Sequence, residues 1–479
     1  MKDSAFKPGK WGKSWDEAQS ECAQVGCANL ANGEILLKLP CGTLLDSPAI
    51  RINGKNPQIA AEYLYGYTQE NYYIILRDTE HLYGSGHIPG MFNETIHARE
   101  LFASKGSRFN INNPVNKIRV DYFGLTEWYG KIAFTQTADS GRFKSLAYNK
   151  DEDQPCTIYQ SNDLSLKLIS EYVFPGTNID KMVFEHRNYL SIEFESGRTV
   201  EESLMLINRL STFLSLCMGF KSDVQSIWFT FDGSAKDVQY FTELRNTPLP
   251  SKNSFLRMPF PYKSICSDIS SYLEDWLNPS DGKLAAFPYL QYAAELLVSA
   301  LMCKWEMPIQ PLYTTASQAL ESLSKYLATR DNSLAALPLP EYRANMCELK
   351  RLLRNVEKGF HDWVYCHFHG NDKGMNRLTK ELIDRKKDIF QIVLLDVGSF
   401  IQLQKQYRNQ YTHPSPTCNN DYVELWYMSQ CICLISGALV WSFLGMSSTF
   451  IANRLEQTGY KAEIVRWAQK RFPEQDSRS

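Results

Sequence analysis

The sequence predicts an α+β chain: a β-rich, sandwich-like N-terminal domain followed by an all-α helical bundle. Three observations predict it. Short runs of β-branched and aromatic residues, several of them alternating, occupy residues 30–240. Pro248, Pro250, Pro259 and Pro261 then mark a connection. Beyond them apolar residues recur at helical spacing. The expected domains are residues 1–245, β-rich; 246–309, a linker with bridging helices; and 310–479, helical. A chain of 479 residues exceeds one ordinary core, and 44% apolar with 22% charged residues is a globular composition.

In the first half, Glu34–Leu39, Tyr72–Leu76, Lys117–Phe123, Lys131–Phe134 and Leu164–Ile169 read as strands. Asn53-Gly54, Gly84-Ser85-Gly86 and Asp232-Gly233 read as turns between them. A helix is expected over Val200–Met218, with Glu201 and Glu202 in its first turn where the dipole favours acids. The strand Ile227–Phe231 follows, so this helix should pack on the sheet. Gly84–Gly90 lacks the Lys-Ser/Thr of a phosphate loop, and Pro89 prevents an immediate helix, so it reads as a loop and no cofactor is expected. His81, His87 and His97 lie near one another in sequence without a matching nucleophile or acid. The tyrosines 63, 65, 67, 72 and 73 are compatible with a recognition surface and, more simply, with sheet core.

In the second half helices are expected over Ile265–Leu277, Leu284–Trp305, Tyr313–Thr329, Pro340–His361, Leu378–Thr412, Tyr422–Leu444 and Glu456–Arg471. Short connections imply antiparallel neighbours in a bundle. Leu425–Asn453 carries no formal charge and is apolar enough to suggest a membrane span. Its Gln430, Gly437 and serines, and the lack of strongly basic flanks, favour a buried bundle helix instead. No membrane partner is expected.

Charge and cysteine usage narrow the class. A net charge of −2 gives no general field for nucleic acid. Residues 351–413 hold eleven Lys/Arg against seven Asp/Glu, with Arg385-Lys386-Lys387 at their middle. That local excess could attract phosphate, although a solvated helix face explains the run as well. Twelve cysteines lack paired metal-ligand spacing, which points to a reducing compartment. Cys22, Cys27 and Cys41 are poorly spaced for zinc. Cys366-His367-Phe368-His369 reads as a helix end running into Gly370-Asn371-Asp372. Met1–Lys7 has no apolar signal core, so a cytoplasmic chain is expected.

The stretch around which the helical half is organised is Arg408-Asn409-Gln410-Tyr411-Thr412-His413, followed by Pro414. Helical spacing places Arg408 on the stripe of Val397 and Ile401, pointing inward. Pro414 disfavours helical geometry at His413, so the helix should end there. Two readings compete. Arg and His at a helix C-terminus are ordinary caps. They also suit metal-free RNA cleavage, which needs a base for the ribose 2′-hydroxyl, an acid for the leaving oxygen and a fixed cation on the phosphoryl oxygens. One copy offers one histidine and one arginine, so a two-fold dimer would make a fuller site.

The hexapeptide resembles the signature of HEPN-domain ribonucleases, in which an Arg and a polar residue precede a His at the end of one helix, before an apolar final helix. Ala316-Ser317-Gln318-Ala319-Leu320-Glu321-Ser322-Leu323 resembles the opening helix of the ApeA-like branch, and the β-rich half resembles the domain preceding it. The resemblance implies a metal-independent endoribonuclease cleaving RNA such as tRNA in abortive infection, with residues 1–245 as a sensor domain and 310–479 as the nuclease. It implies restraint until a phage component, in the form of a protein, is sensed, and assembly as a homodimer or higher oligomer. On this reading His413 is general base or acid, Arg408 clamps the scissile phosphate and Asn409 orients it. A non-catalytic RNA- or protein-binding chain and a membrane-attached sensor are the alternatives.

Overall fold

The structure is a computed structural model. It describes residues 4–31, 33–42, 44, 59–87, 91–131, 134–139, 142–148, 154–173, 177–178, 181–182, 185–242, 257–302, 308–354, 356–367, 370–412, 421–458 and 462–473. The chain divides into two compact units, Met1–Ser211 with Ser222–Ser251 and Thr212–Lys221 with Lys252–Ser479.

The first unit is built on strands β1 (Ser4–Ala5), β2 (Gly9–Gly12), β3 (Gln24–Ala31), β4 (Glu34–Leu39), β5 (Ile59–Thr68), β6 (Tyr72–His87), β7 (Met91–Lys105) and β8 (Val115–Tyr122). It continues with β9 (Phe134–Asp139), β10 (Arg142–Tyr148), β11 (Cys156–Gln160), β12 (Leu164–Val173), β13 (Thr177–Asn178), β14 (Lys181–Met182), β15 (Glu185–Arg198), β16 (Val224–Phe231) and β17 (Val238–Thr242). β9 with β10 and β13 with β14 form separate antiparallel pairs. The fold class is α+β, as predicted, and pairing shows how the β half is closed. β2 pairs with β3 and β5, β5 with β6, β6 with β7, β7 with β4 and β4 with β3, so six antiparallel strands form a ring. A closed ring leaves no edge to protect. Along its edge away from β6, β7 has two neighbours in turn: Glu94–Ala98 pair with β4, and Glu100–Ala103 pair with β17. From β17 an open sheet runs through β16, β8, β15, β12 and β11.

Alternation decides what faces the interior. Ile35, Leu37 and Leu39 point inward from β4, where they join Trp11, Leu64, Ile74, Leu76, Ile96 and Leu101 in one buried cluster. Trp11 is fully buried, and its Nε1 donates to the Gly26 carbonyl at 3.2 Å. Gly66 makes room for it: a Cβ there would come within 2.5 Å of the indole ring. Gly84-Ser85-Gly86, read from composition as a loop, is strand instead, because β6 keeps pairing with β7 as far as His87 opposite Met91. The Asn53-Gly54 turn and residues 88–90 of the Gly84–Gly90 stretch lie outside the described residues.

The helix Val200–Met218 opens on a capping box. The Glu202 amide donates to Thr199 Oγ1 at 3.2 Å, and the Thr199 amide donates to the Glu202 carboxylate at 3.0 Å. Its first turns lie on the sheet, where the Tyr122 hydroxyl donates to the Ile207 carbonyl at 2.9 Å.

The second unit is helical. The Ile309–Arg330 helix packs against Phe287–Met302, Met375–Arg385 and Tyr422–Phe443. Tyr422–Phe443 is capped by Asp421, whose side chain accepts from the Val423 and Glu424 amides. This helix is long and apolar enough to cross a membrane, but most of its apolar window is buried inside the chain. Trp441 lies among Phe213, Phe260 and Tyr272, with ring centroids 5.4, 4.9 and 6.2 Å away.

The single helix expected over Leu378–Thr412 is three: Met375–Arg385, Lys387–Gln391 and Val397–Thr412. The last break has a local cause. Asp396 accepts from the Ser399 amide at 3.1 Å and from its hydroxyl at 2.5 Å, an N-cap that starts a new helix. The Pro340–His361 helix likewise divides into Leu339–Leu353 and Lys358–His367, and Glu456–Arg471 into Ser448–Gln457 and Ala462–Arg471.

Candidate functional site

Arg408 and Asn409 lie on the last turn and a half of Val397–Thr412. His413 lies outside the described residues. The buried side of this helix is Phe400, Gln404 and Tyr407, with Tyr411 one turn on at helical spacing. Arg408 stands one position beside that stripe rather than on it, and its side chain is 35% exposed. That exposure matters, since a guanidinium buried at this helix end could reach no phosphate. Asn409 is exposed.

The two stretches singled out in the sequence meet here. Arg408 Nε is 2.7 Å from Glu321 Oε1, and Glu321 belongs to the Ala316–Leu323 octapeptide on Ile309–Arg330. One Arg nitrogen bonded to a carboxylate fixes the plane of the guanidinium fork. Glu321 escaped the sequence reading because its partner is far away in sequence; its only local signal was an acid between Leu320 and Ser322, on a face otherwise built for packing.

Three tyrosines support the helix end. Tyr313 and Tyr411 ring centroids are 5.9 Å apart, and Tyr407 and Tyr411 are stacked at 6.3 Å. The Tyr313 hydroxyl donates to the Gln404 carbonyl at 2.7 Å, and the Tyr407 hydroxyl donates to Glu424. Glu424 also accepts from Arg471 Nε at 2.6 Å. Burial pushes the Tyr313 and Tyr407 phenols well above their ordinary value. Both stay protonated near neutrality, so they act as donors and packing rings and not as bases. The spacing of Tyr407 and Tyr411 is a sequence signal for this cluster; Glu424 and Arg471 left none.

The other candidates separate. Arg385 pairs with Asp331, and Lys386 Nζ donates to Ser442 Oγ at 2.9 Å while lying 5.2 Å from the Phe443 ring centroid. Lys386 is therefore bound up in the bundle, and Arg385 is half-exposed with a carboxylate partner. His81 Nε2 is 3.6 Å from Glu94, whose other oxygen accepts from the Leu44 amide. The His87 side chain and the Cys366–His369 side chains lie outside the described residues. Cys27 Sγ donates to the Phe6 carbonyl at 2.8 Å, while Cys22 and Cys41 are exposed. Among the described residues no three His, Cys, Asp or Glu side chains stand together as a metal set.

Glu321 gives the site a measurable pH signature. Burial raises its carboxyl above the ordinary value of 4.5, and Arg408 and Lys325 lower it only in part. The folded state holds this proton more tightly than the unfolded chain, so wild-type stability falls as pH rises from the unfolded value towards the raised folded one. Glu321→Gln has no such proton to lose. Its stability relative to wild type is expected to be greater at about pH 7 than at about pH 4, read from urea midpoints. A difference independent of pH would contradict desolvation as the ruling influence on Glu321.

Comparison with known proteins follows this geometry. Residues 21–276, more than half of the chain, match the family described as ApeA N-terminal domain 1. Residues 314–450 match the family described as Apea-like HEPN. No curated protein and no solved structure matches significantly. The Apea-like HEPN match contains both Glu321 and Arg408, and the other match contains the β ring from Gln24 onward and the sheet that extends it. The chain belongs to the ApeA-like family, with an ApeA N-terminal domain followed by an Apea-like HEPN domain.

Proposed function

We propose that this chain is a metal-independent HEPN endoribonuclease of anti-phage abortive infection, acting in the cytoplasm on RNA such as tRNA, as a homodimer or larger assembly. The N-terminal half restrains it until a phage protein is sensed. His413 takes the proton of the ribose 2′-hydroxyl or donates one to the departing 5′-oxygen; the partner copy's histidine supplies the complementary step. The 2′-oxygen bonds to phosphorus as the P–O5′ bond breaks, leaving a 2′,3′-cyclic phosphate and a 5′-hydroxyl. Arg408 stabilises charge on the phosphoryl oxygens and Asn409 orients them.

The observation that carries this reading is the Apea-like HEPN match spanning an oriented, partly exposed Arg408. A non-catalytic binding chain is the second reading, favoured by the same Arg408–Glu321 pair, since an arginine tied to a carboxylate also serves as a strut. Purified protein incubated with total RNA and excess EDTA, with and without extract of phage-infected cells, separates them. Discrete RNA fragments ending in cyclic phosphate, with DNA left intact, are expected. Intact RNA under both conditions supports the binding reading.

A further inference from the structure

On the open sheet of the first unit, four neighbouring strands carry one transverse row of side chains: Trp228 on β16, Arg119 on β8, Ser191 on β15 and Lys167 on β12. Residues directly opposite on adjacent strands project from the same face. Arg119 rests in the corner formed by two rings, its guanidinium carbon 4.4 Å from the Trp228 centroid and 4.9 Å from that of Tyr189. The rings themselves meet edge to face at 5.6 Å. Two rings at a right angle restrict the guanidinium and leave its outer edge for hydrogen bonding.

Charge on this sheet is otherwise matched. Lys117 and Lys167 both reach Glu193, at 3.0 and 2.5 Å. Arg198 pairs with Asp163, and Arg187 acts on Asp121. Arg119 has no carboxylate partner among the described residues, and its Nε is buried without an acceptor. Beside it the Ser191 side chain is fully buried, and its hydroxyl also lacks a partner. Lys117, Arg119, Lys167 and Arg187 stand on this face against Glu193, Asp121 and Glu171, so it carries about one positive charge more than its carboxylates balance. A guanidinium fork, a hydroxyl with no partner among the described residues and a positive excess are complementary to an anion that offers several oxygens, as a phosphate does.

We propose that this sheet face binds a phosphate monoester, with the Arg119 fork taking two phosphoryl oxygens and Lys167 and Ser191 completing the site. The proposal is independent of the ribonuclease reading and concerns the N-terminal half alone. Calorimetric titration of the full chain with adenosine 5′-monophosphate, inorganic phosphate and acetate tests it. Saturable binding of adenosine monophosphate is expected, with acetate silent; inorganic phosphate binding equally well identifies the free ion as the ligand, and weaker binding identifies an ester. Arg119→Met should weaken binding about 10- to 100-fold, the loss of charge-assisted hydrogen bonds. Arg119→Lys should also weaken it, because charge without the fork is insufficient, and this variant serves if Arg119→Met fails to fold. Lys10→Met, at an exposed position on β2, should bind as wild type does. Absence of binding by wild type at millimolar ligand overturns the proposal. So does unchanged affinity in folded Arg119→Met and Arg119→Lys, or equally tight binding of an oligoribonucleotide with a 5′-hydroxyl end, which has no monoester.

Discussion

Alanine at His413 is expected to slow RNA cleavage by about 10²- to 10⁴-fold, the contribution of a positioned general acid or base, while leaving the melting temperature unchanged. His413 directly follows the Val397–Thr412 helix, whose core contacts are made by Phe400 and Tyr407 further back. Arg408→Ala is expected to cost about 10²- to 10³-fold, as removal of one stabiliser of transition-state charge does. It also leaves Glu321, four-fifths shielded from solvent, without its cation, so this variant should melt earlier than wild type. Arg408→Lys separates the two effects: it keeps a charge near Glu321 but loses the planar fork. If the arginine only braces the helix, Arg408→Lys recovers both stability and activity; if it clamps phosphate, stability returns and cleavage does not. Single-turnover rates and melting curves on the same preparations decide this. A His413→Ala protein that cleaves at the wild-type rate removes this residue from the chemistry.

What could be read in the sequence was what short-range chemistry specifies. Glu201 and Glu202 after Ser196-Gly197 announced the Val200–Met218 helix, and Thr199 with Glu202 closes its capping box. The alternation of Glu34–Leu39 announced β4. Closure of the ring was not legible, because it depends on β4 finding Thr95–Ala98 and on the four residues of β2 bridging β3 and β5. Gly84-Ser85-Gly86 misled because glycine propensity yields to the pairing of β6 with β7, which shifts register between His81 and Tyr83 and then runs on to His87. The break before Val397 was legible in Asp396-x-x-Ser399, yet the periodicity of Val393, Leu394, Val397 and Ile401 overrode it and turned Arg408 towards the wrong side. At the site, Arg408 could be read from its neighbours, whereas Glu321 required two distant helices to meet.

Alanine at Trp441 is expected to be the most destabilising single change outside the site, costing about 3–5 kcal/mol. Trp441 is 2% exposed and touches Phe213, Phe260 and Tyr272, all within the second unit. It also lines a pocket with Leu297, Leu434 and Ile451, so the space left by the indole joins one that already exists and collapse around it will be incomplete. At roughly 2–4 °C per kcal/mol for a unit of this size, the melting temperature should fall by about 6–20 °C. The same residue tests what the uncharged stretch is for. In a membrane span, a tryptophan near one end faces headgroups, and its loss would weaken anchoring while sparing the fold. In a core helix its loss empties the bundle. Lys386 reaching Ser442 and lying over Phe443 places a polar group from the same unit against this end of the helix, as a bundle interior does and lipid does not. Wild type recovered wholly without detergent, together with a cooperative loss of stability in Trp441→Ala, is the expected pair of results. Recovery only from detergent-extracted membranes, with melting unchanged in the variant, would return Tyr422–Phe443 to the bilayer.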